Sequence, residues 1–265
     1  MTDLKSGLYV VATPIGNLED ASARVRRTLG TVSLILAEDT RRTRALLNAL
    51  DVPAPDLYSC HQHNEHSRLG LAMDVLERGD DVALVSDAGT PAISDPGSVV
   101  VAAAHEAGHP VISVAGPSSV IAAVAASGFE ATPFHFLGFP PRKAGALRRF
   151  IVQSSRLPGV WVLLERGARC GKLIAALAEL MPDREALVAR ELSKKHEDNE
   201  RGPLGSLSVE PRRGEVVIVV GPGAAIADEV QVPAGPNLKD IAAALAVRWG
   251  CSKREAYQRL LTLEE

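Results

Sequence analysis

Three short turns combine glycine, proline and small polar residues directly after apolar segments. They are residues 13–17 (TPIGN), 86–91 (SDAGTP) and 115–119 (AGPSS). Residues of these types let backbone groups approach a ligand closely. None of the three turns has the glycine spacing of a dinucleotide site or the lysine of a phosphate loop. Together they predict a site for a small ligand with ammonium, carboxylate and ribose groups rather than a polyphosphate, with ordinary strand-to-helix turns as the alternative.

The polar groups of this predicted site lie within the second and third turns. Asp87 offers an anionic acceptor. Ser118 and Ser119 offer hydroxyl and N–H groups at the point where a helix is predicted to begin.

A run of acids and arginines, residues 38–42 (EDTRR), comes directly after another apolar segment. Asp39 or Thr40 is expected to cap the helix that follows. The neighbouring arginines would keep the acids ionised, and the acids and arginines together would hold a polar substrate.

A second charged run, residues 189–197 (ARELSKKHE), follows a possible strand end. Its glutamates, two lysines and histidine suit the binding and deprotonation of a hydroxyl group beside phosphates. A solvated loop is the alternative interpretation of this run.

The histidine-rich run at residues 61–66 (HQHNEH) raises the question of a metal site. Its alternation does not place three nitrogen atoms on one face of a strand or a helix, and no partner cluster follows it. We therefore expect no metal, and a polar or substrate-facing segment instead.

The first 115 or so residues alternate strand-like and helical patterns. The strands are predicted at residues 8–12, 34–37, 82–86 and 111–115, and the helices at 21–29, 40–49, 67–77 and 97–107. This alternation predicts a parallel sheet with helices on both faces. Because the carboxyl ends of parallel strands meet at one edge, the three turns are expected to meet there.

From residue 116 the pattern changes to a second α/β unit with more antiparallel character. A helix is predicted at residues 118–127, an extended segment at 132–139, strands at 160–164 and 215–220, a helix at 172–180, and a loop or hairpin at 194–205. The predicted fold class is therefore α/β with two domains, one with a parallel and one with a mixed sheet.

Residues 222–236 are rich in proline, glycine and alanine and are typical of a linker. Two helical patterns follow at 237–249 and 252–261, the second with a capping box formed by Ser252 and Glu255. We favour a helical hairpin over a helix-turn-helix for this pair. The predicted domains are residues 1–117, 118–225 and 237–265.

Composition and charge limit the function classes. Apolar residues make up 46% of the 265 residues and the formal charge is −3. Three widely spaced cysteines argue against a disulfide framework or a zinc site. Because no apolar run approaches membrane-spanning length and no signal peptide is evident at the start, a cytoplasmic protein is expected. Basic side chains cluster at residues 24–27, 41–44, 142–149, 194–196 and 212–213.

Several of these segments occur in the order seen in one enzyme family. They are ATPIGNLED, AEDTRRTRALLN, HQHNEH, VSDAGTPAISDPG, AGPSSVIAAVAASG and ARELSKKHE. Over residues 7–220 the chain resembles the ribosomal RNA small subunit methyltransferase I family, which belongs to the tetrapyrrole methylase superfamily. The final pair of predicted helices resembles that family's C-terminal extension.

The resemblance implies an S-adenosylmethionine-dependent enzyme that 2′-O-methylates a cytidine in the decoding region of small-subunit (16S) ribosomal RNA. It further implies a cofactor held in the cleft between two α/β domains, in a homodimer. Because only RNA carries a 2′-hydroxyl, DNA is not the expected substrate, and the basic clusters would hold RNA phosphates.

Matching the motifs residue by residue implies which side chains meet the cofactor. The residues are Pro14 in the first turn, Asp87, Ala88 and Gly89 in the second, Ser118 and Ser119 in the third, and Leu164 or Glu165 together with Leu192 at the adenosine pocket. Where relatives carry a run of the Tyr-Glu-Ser-Pro-His-Arg type, this chain has LERGAR at residues 164–169.

A ribose hydroxyl is a poor nucleophile at neutral pH, so a nearby base should assist the methyl transfer. Our hypothesis is that Glu191, Lys195 or His196 is that base, with Asp39 or Glu65 positioning the ribose. Two rival functions are a tetrapyrrole methylase acting on a corrin or porphyrin precursor and a non-catalytic RNA-binding assembly factor. The basic clusters and the terminal helices count against the first rival, and failure to bind S-adenosylmethionine would favour the second.

Overall fold

The computed structural model describes residues 6–226, 242, 245–246 and 252–261. The first of its two sheets consists of β1 (Leu8–Val11), β2 (Leu34–Ala37), β3 (Asp56–Ser59), β4 (Val82–Val85) and β5 (Val111–Val114). All pairs in this sheet are parallel, and the strands lie in the order β3-β2-β4-β1-β5.

Helices cover both faces of this sheet. They are α1 (Ala23–Thr31), α2 (Thr40–Ala49), α3 (Glu65–Glu77) and α4 (Ser98–Glu106). On one face, Leu29 of α1 and Leu47 of α2 are fully buried in a shared core. On the other, Val75 of α3 and Val100 of α4 pack against the alternate residues of the same strands. The parallel sheet predicted from the alternating pattern is confirmed.

The strand order creates a crevice at the carboxyl edge. Strands β1 and β4 are neighbours, yet β1 leads to α1 on one face and β4 leads to α4 on the opposite face. When the connections after two adjacent strands lead to opposite faces of the sheet, a gap opens between their loops. Open α/β sheets bind ligands in this gap. The turns at residues 13–17 and 86–91 flank this gap.

The second sheet is mixed. Its strands are β6 (Phe134–Gly138), β7 (Val160–Arg166), β8 (Glu185–Arg190), β9 (Asp198–Pro203) and β10 (Glu215–Val220), in the order β6-β7-β10-β8-β9. Only the pair β6 and β7 is parallel. Helix α5 (Ser119–Ser127) packs on β8 and β10, while α7 (Gly167–Leu180) packs on β7 and β10 and contacts α6 (Ala144–Ser154).

Strand β3 and helix α6 are not predicted from the sequence. Strand β3 is a short edge strand in which exposed Asp56 and Tyr58 break the apolar run that marks the other strands. Helix α6 has apolar residues at helical spacing, including the buried Leu147 and Ile151. Its adjacent arginines, however, favour its interpretation as a basic cluster rather than as a helix. The loop or hairpin predicted at residues 194–205 is the second arm of a hairpin, because β9 pairs antiparallel with β8.

The chain divides into one compact unit up to Ala224 and a second from Ala225 onward. In the second unit, α8 (Lys253–Leu261) begins after Ser252, whose hydroxyl oxygen accepts a 3.2 Å hydrogen bond from the Glu255 N–H. Ala242, Ala246 and Ala256 form a small buried cluster there. Most of the predicted helix at 237–249 lies outside the described residues. No helix in the described ranges is long and apolar enough to cross a membrane.

Two glycine-to-alanine changes should have opposite effects on stability. In α7, a side chain at Gly171 would overlap the carbonyl oxygen of Val209, so Gly171→Ala should destabilise the fold by about 1–3 kcal/mol. In α3, Gly70 is exposed with open space around it, so Gly70→Ala should stabilise the fold by about 0.5–1 kcal/mol. Urea unfolding of both variants tests this, and equal effects of the two changes would contradict it.

Candidate functional site

The first two turns are joined by backbone hydrogen bonds. The Thr13 N–H donates to the Gly89 oxygen at 2.9 Å, and the Gly89 N–H donates to the Thr13 oxygen at 3.0 Å. The buried Thr13 hydroxyl also donates to the Ser86 carbonyl at 3.2 Å. Gly89 has a φ of +85°, which a side chain would strain. These bonds fix the relative position of the two turns at the sheet edge.

The third turn packs closely against the first two. A Cβ atom at Gly116 would lie 2.9 Å from the Ala12 Cβ, and a Cβ at Gly89 would lie 4.0 Å from the Pro117 oxygen. Ser118 caps α5, with its hydroxyl oxygen accepting from the Ile121 N–H at 3.5 Å. The structure therefore brings the three predicted turns together.

The first turn also contacts the second sheet. Ile15 packs in the same core as Leu192, which is 8% exposed. A side chain at Gly16 would overlap the aliphatic chain of Lys194. Just beyond the turn, Asp20 accepts a 2.5 Å hydrogen bond from the Ser193 hydroxyl. The edge of the parallel sheet and the loop after β8 thus form two walls of one site.

A cavity of about 140 Å³ opens beside these turns. Pro14, Gly16, Ser86 and Asp87 line it from the two turns, and Arg42, Thr43 and Leu46 of α2 line it with Leu18. The predicted cofactor residues Pro14 and Asp87 therefore face a shared space.

Asp87 is held by three neighbours. Its Oδ1 accepts the Asp39 N–H at 3.1 Å, and its Oδ2 lies 3.2 Å from Arg42. The Asp87 N–H in turn donates to Glu38 at 3.2 Å. Burial raises the pKa of Asp87, and the charge of Arg42 opposes that rise. The run at residues 38–42 and the second turn therefore form one hydrogen-bonded unit.

Asp95 is a site residue that sequence reasoning did not select. Burial, together with the charges of Glu38, Asp87 and Glu215, raises its pKa to about 6, and a hydrogen bond from Ser86 opposes the rise. Because Glu215 belongs to the second sheet, acids from both sheets contribute to a negative potential here. Such a potential favours a cationic ligand and disfavours phosphate. Asp95 lies in the quoted run VSDAGTPAISDPG, but the approach of Glu215 is a long-range contact that no local pattern predicts.

Backbone strain is concentrated in the two loops beside the crevice. Among the described residues other than glycine, positive φ values occur at Asp51, Ala92, Ser94, Glu191 and Ser193. All except Asp51 lie in the loop between β4 and α4 or in the loop after β8. Strain of this kind persists where surrounding contacts fix a functional geometry.

Glu191, a candidate base, is engaged by other groups. Its Oε1 accepts the Glu215 N–H at 3.0 Å and Lys194 Nζ at 2.9 Å. The backbone hydrogen bond from Glu215 and then the Lys194 interaction lower the pKa of Glu191. A carboxylate held in this way is a weak proton acceptor. Its hydrogen bonds instead stabilise the loop after β8.

Lys195 and His196, the other two candidate bases, are exposed at the tip of this loop. Neither side chain forms a hydrogen bond or ion pair with any residue that the structure describes. By contrast, Lys194 binds both Glu191 and Glu215. Burial lowers the pKa of Lys194, but its hydrogen bonds to those two acids outweigh burial and raise it.

Asp39 and Glu65 have structural contacts. Asp39 caps α2, as predicted, by accepting the Arg41 N–H at 2.9 Å, and the Arg41 side chain lowers the pKa of Asp39 to about 2. Glu65 accepts the Gly97 N–H at 2.9 Å and so fixes the start of α4. Glu65 therefore anchors the end of the loop that carries Asp87 and Asp95.

The candidates for the adenosine pocket lie on two faces of the second sheet. Leu164 packs beside the core that contains Ile15 and Leu192. Glu165 points to the opposite face, where it is 4% exposed and lies 3.1 Å from Arg169. The structure thus places Leu164 and Leu192 with the first turn and does not place Glu165 there.

The histidine run forms a local polar structure. Asn64 accepts the His61 N–H at 2.7 Å and donates to the Ser59 carbonyl at 3.2 Å. The rings of His61 and His63 are 6.0 Å apart. Across the described part of the chain, no group of three or more His, Cys, Asp or Glu side chains is arranged to hold a metal ion.

The crevice fits a cofactor of the kind that the motifs imply. Two of its turns satisfy each other's backbone groups at Thr13 and Gly89, so those N–H groups are not available to a phosphate. Lys194 is neutralised by two acids. A site with apolar walls, acidic side chains and the helix-capping Ser118 matches S-adenosylmethionine, which has a sulfonium, an amino acid end and a ribose but no phosphate.

Comparison with protein families and curated proteins agrees with this geometry. Residues 7–208 match the family model "Tetrapyrrole (Corrin/Porphyrin) Methylases". The chain is 41% identical to "Ribosomal RNA small subunit methyltransferase I" of Micromonospora olivasterospora, over 84% of this chain and 72% of that protein. It is 34% identical to the protein of the same name from Mesorhizobium japonicum, over 99% and 94% of the two chains.

Solved structures share the fold at lower identity. Uroporphyrin-III C-methyl transferase from Thermus thermophilus, complexed with S-adenyl homocysteine, matches with a TM-score of 0.53 and 21% identity, over 81% of this chain and 97% of that one. The methyltransferase CobJ matches with a TM-score of 0.60 and 17% identity, over 82% and 95% of the two chains.

The raised pKa of Asp95 predicts a pH-dependent stability change. Because the folded state binds this proton more tightly than the unfolded chain, the favourable contribution of Asp95 is complete at pH values below its unfolded pKa and is lost as the pH rises through 6. Asp95→Asn, which keeps an acceptor for Ser86, should therefore raise the Tm more at pH 8 than at pH 5.

Asp39→Asn is the matched control, since the pKa of Asp39 is lowered to about 2. Its ionised form favours folding, so this change should not raise the Tm at pH 8. Thermal unfolding at both pH values measures the difference. A Tm for Asp95→Asn that changes equally at pH 5 and pH 8 would show that the Asp95 carboxylate is not destabilising.

Proposed function

The chain belongs to the ribosomal RNA small subunit methyltransferase I family of S-adenosylmethionine-dependent enzymes within the tetrapyrrole methylase fold, and from this we propose that it 2′-O-methylates a cytidine ribose in the decoding region of 16S ribosomal RNA. The observation that carries the proposal is the acidic crevice without a phosphate cradle at the edge of the parallel sheet, closed on one side by the loop after β8.

Residues of both sheets would hold the cofactor. They are Pro14, Asp87, Ala88, Gly89, Ser118, Ser119, Leu164 and Leu192. Glu165, the alternative to Leu164 in the motif, is buried beside Arg169 and is better suited to stabilising the second sheet. When bound, S-adenosylmethionine supplies a methyl group on a sulfonium sulfur, and the protein's part is to align an acceptor oxygen with it.

The exposed pair Lys195 and His196 is the best source of the base. Both side chains are free to approach a ribose, whereas Glu191 is held by Glu215 and Lys194. We assign to one of them the removal of the 2′-hydroxyl proton. Asp39 and Glu65 would act indirectly, because each fixes a loop or helix start beside the crevice.

The remaining parts of the proposal concern assembly and substrate. We propose that the enzyme is a cytoplasmic homodimer, with domains at residues 1–117, 118–225 and 237–265, and that it acts on small-subunit ribosomal RNA. Exposed cations such as Arg213 supply phosphate contacts, which favours RNA over an uncharged acceptor. Mapping of ribose methylation in 16S ribosomal RNA from cells with and without the gene tests the modified nucleotide directly.

The negative potential of the crevice predicts a pH dependence of cofactor binding. Lowering the pH from 7.5 to 5.5 increases the protonation of Asp95 and should weaken S-adenosylmethionine binding by up to about 4-fold. S-adenosylhomocysteine lacks the sulfonium charge and should change less. Calorimetric titration of both ligands measures the effect. Asp95→Asn should abolish the pH dependence; if the variant keeps it, another group is responsible.

Substitution of the base should lower the rate of methyl transfer and leave cofactor affinity unchanged. Lys195→Ala or His196→Ala should reduce single-turnover methylation of 16S ribosomal RNA by about 100-fold or more. His105→Ala, an exposed histidine at the end of α4, is the control. Full activity in both loop variants would eliminate this pair as the base.

A further inference from the structure

Two large apolar side chains are exposed close to the crevice. Phe139, directly after β6, is 60% exposed, and Ile93, in the loop between β4 and α4, is 53% exposed. The residues next to them meet, since a Cβ atom at Gly138 would lie 3.6 Å from the Ser94 hydroxyl. We refer to Ile93 and Phe139 as the apolar rim.

The loop that carries Ile93 is part of the proposed cofactor site. It begins with Asp87 and ends at Gly97, where Glu65 fixes the backbone. Between them, Asp95 is half-buried within the electrostatic influence of acids of both sheets. The apolar rim is therefore held against the crevice by the same loop that forms one of its walls.

The backbone of this loop is strained on both sides of Ile93. Ala92 has a φ of +66° and Ser94 a φ of +63°, values that residues with side chains rarely adopt. Exposing a large apolar side chain on a strained loop gains the isolated protein no burial energy. Such a cost at a site points to a role in binding.

Unpaired cations adjoin the apolar rim. Arg142 and Lys143 are exposed, and the described residues offer neither of them an ion pair or a side-chain hydrogen bond. Arg149 of α6 is exposed in the same way, whereas Arg148 binds Glu179 at 3.1 Å. Arg142 and Lys143 also precede the N-terminus of α6, where the helix dipole disfavours positive charge. Their placement therefore serves something other than helix stability.

We propose that the apolar rim stacks an unpaired base of the RNA substrate beside the nucleotide in the crevice, while Arg142 and Lys143 bind the phosphates that flank it. This inference rests on the proposed function and names the surface that recognises the RNA. An aromatic face beside cations is the usual combination for single-stranded nucleic acid. A second copy of the chain is a poorer occupant, because a self-complementary contact at this surface would bring like charges together.

The test compares two phenylalanines of the same strand region. Phe139→Ala should weaken binding of small ribosomal subunits, and of a fluorescent single-stranded RNA copied from the decoding region, by about 10-fold. Phe139→Trp, which keeps an aromatic ring at this position, should bind as tightly as the unmodified protein. Phe134→Ala, at the other end of β6 and 39% exposed, is the matched control and should bind as the unmodified protein does. Thermal unfolding establishes that each variant folds.

The salt dependence of binding tests the cations separately. Arg142→Ala and Lys143→Ala should each lower the slope of log affinity against log salt by about 0.7. Arg78→Ala, an exposed arginine between α3 and β4 at the opposite edge of the first sheet, should leave the slope unchanged.

Three results would overturn the inference. One is RNA binding by Phe139→Ala equal to that of the unmodified protein, and another is a failure of the unmodified protein to bind either RNA form. The third is a change of oligomeric state in Phe139→Ala by sedimentation, which would assign the surface to a second copy. The proposed function is tested apart from this, because S-adenosylmethionine binding by Phe139→Ala should remain normal and methylation is mapped with the unmodified protein.

Discussion

The site depends on the pair of backbone hydrogen bonds between Thr13 and Gly89. They join the loops of two neighbouring strands whose helices leave toward opposite faces of the sheet, and so they set the width of the crevice. The same bonds use N–H groups that a phosphate would need. With that geometry fixed, Ile15 extends into the core of the second sheet and Gly16 lies against Lys194. The preference for a cofactor without phosphate and the contact between the two sheets thus follow from one constraint.

Local patterns predict much of this arrangement. The parallel sheet, the meeting of the three turns, and a cap of α2 at Asp39 or Thr40 follow from periodicity and from the hydrogen bonds that short polar side chains form at helix starts. The sequence pattern does not predict which charged side chains are engaged by hydrogen bonds or ion pairs with residues distant in sequence. Glu191 accepts a hydrogen bond from the Glu215 N–H, and the charge of Glu215 contributes to the raised pKa of Asp95. Both effects arise where β10 approaches loops that are distant in sequence, and no window of neighbouring residues contains that information.

Strain in the two loops beside the crevice requires compensation from the surrounding contacts. A positive φ at a residue other than glycine costs on the order of 1–3 kcal/mol. Around Glu191 and Ser193 the compensating contacts are present. The Glu215 carbonyl accepts the Glu191 N–H, the Glu215 N–H donates to the Glu191 carboxylate, and Ser193 binds Asp20 and Glu197. The loop between β4 and α4 is held by Glu65 at its end. Both loops are therefore fixed before a ligand arrives, which reduces the ordering cost of binding.

Acidic and basic side chains lie in different parts of the molecule, the acids near the crevice and the unpaired cations on exposed loops. This separation allows one protein to bind both a cationic cofactor and an anionic RNA. The partly buried acids Glu38, Asp87 and Asp95 create a negative potential in the crevice that attracts a sulfonium. The cations nearest to it are neutralised, Arg42 by Asp87 and Lys194 by two glutamates. The unpaired cations Arg142 and Lys143 lie on an exposed loop, where counterion release favours RNA phosphates. If the free cations lay in the crevice, they would repel the cofactor; if the acids lay on the surface, they would repel the RNA. A formal charge of −3 therefore does not oppose RNA binding, because the position of each charge decides which substrate it meets.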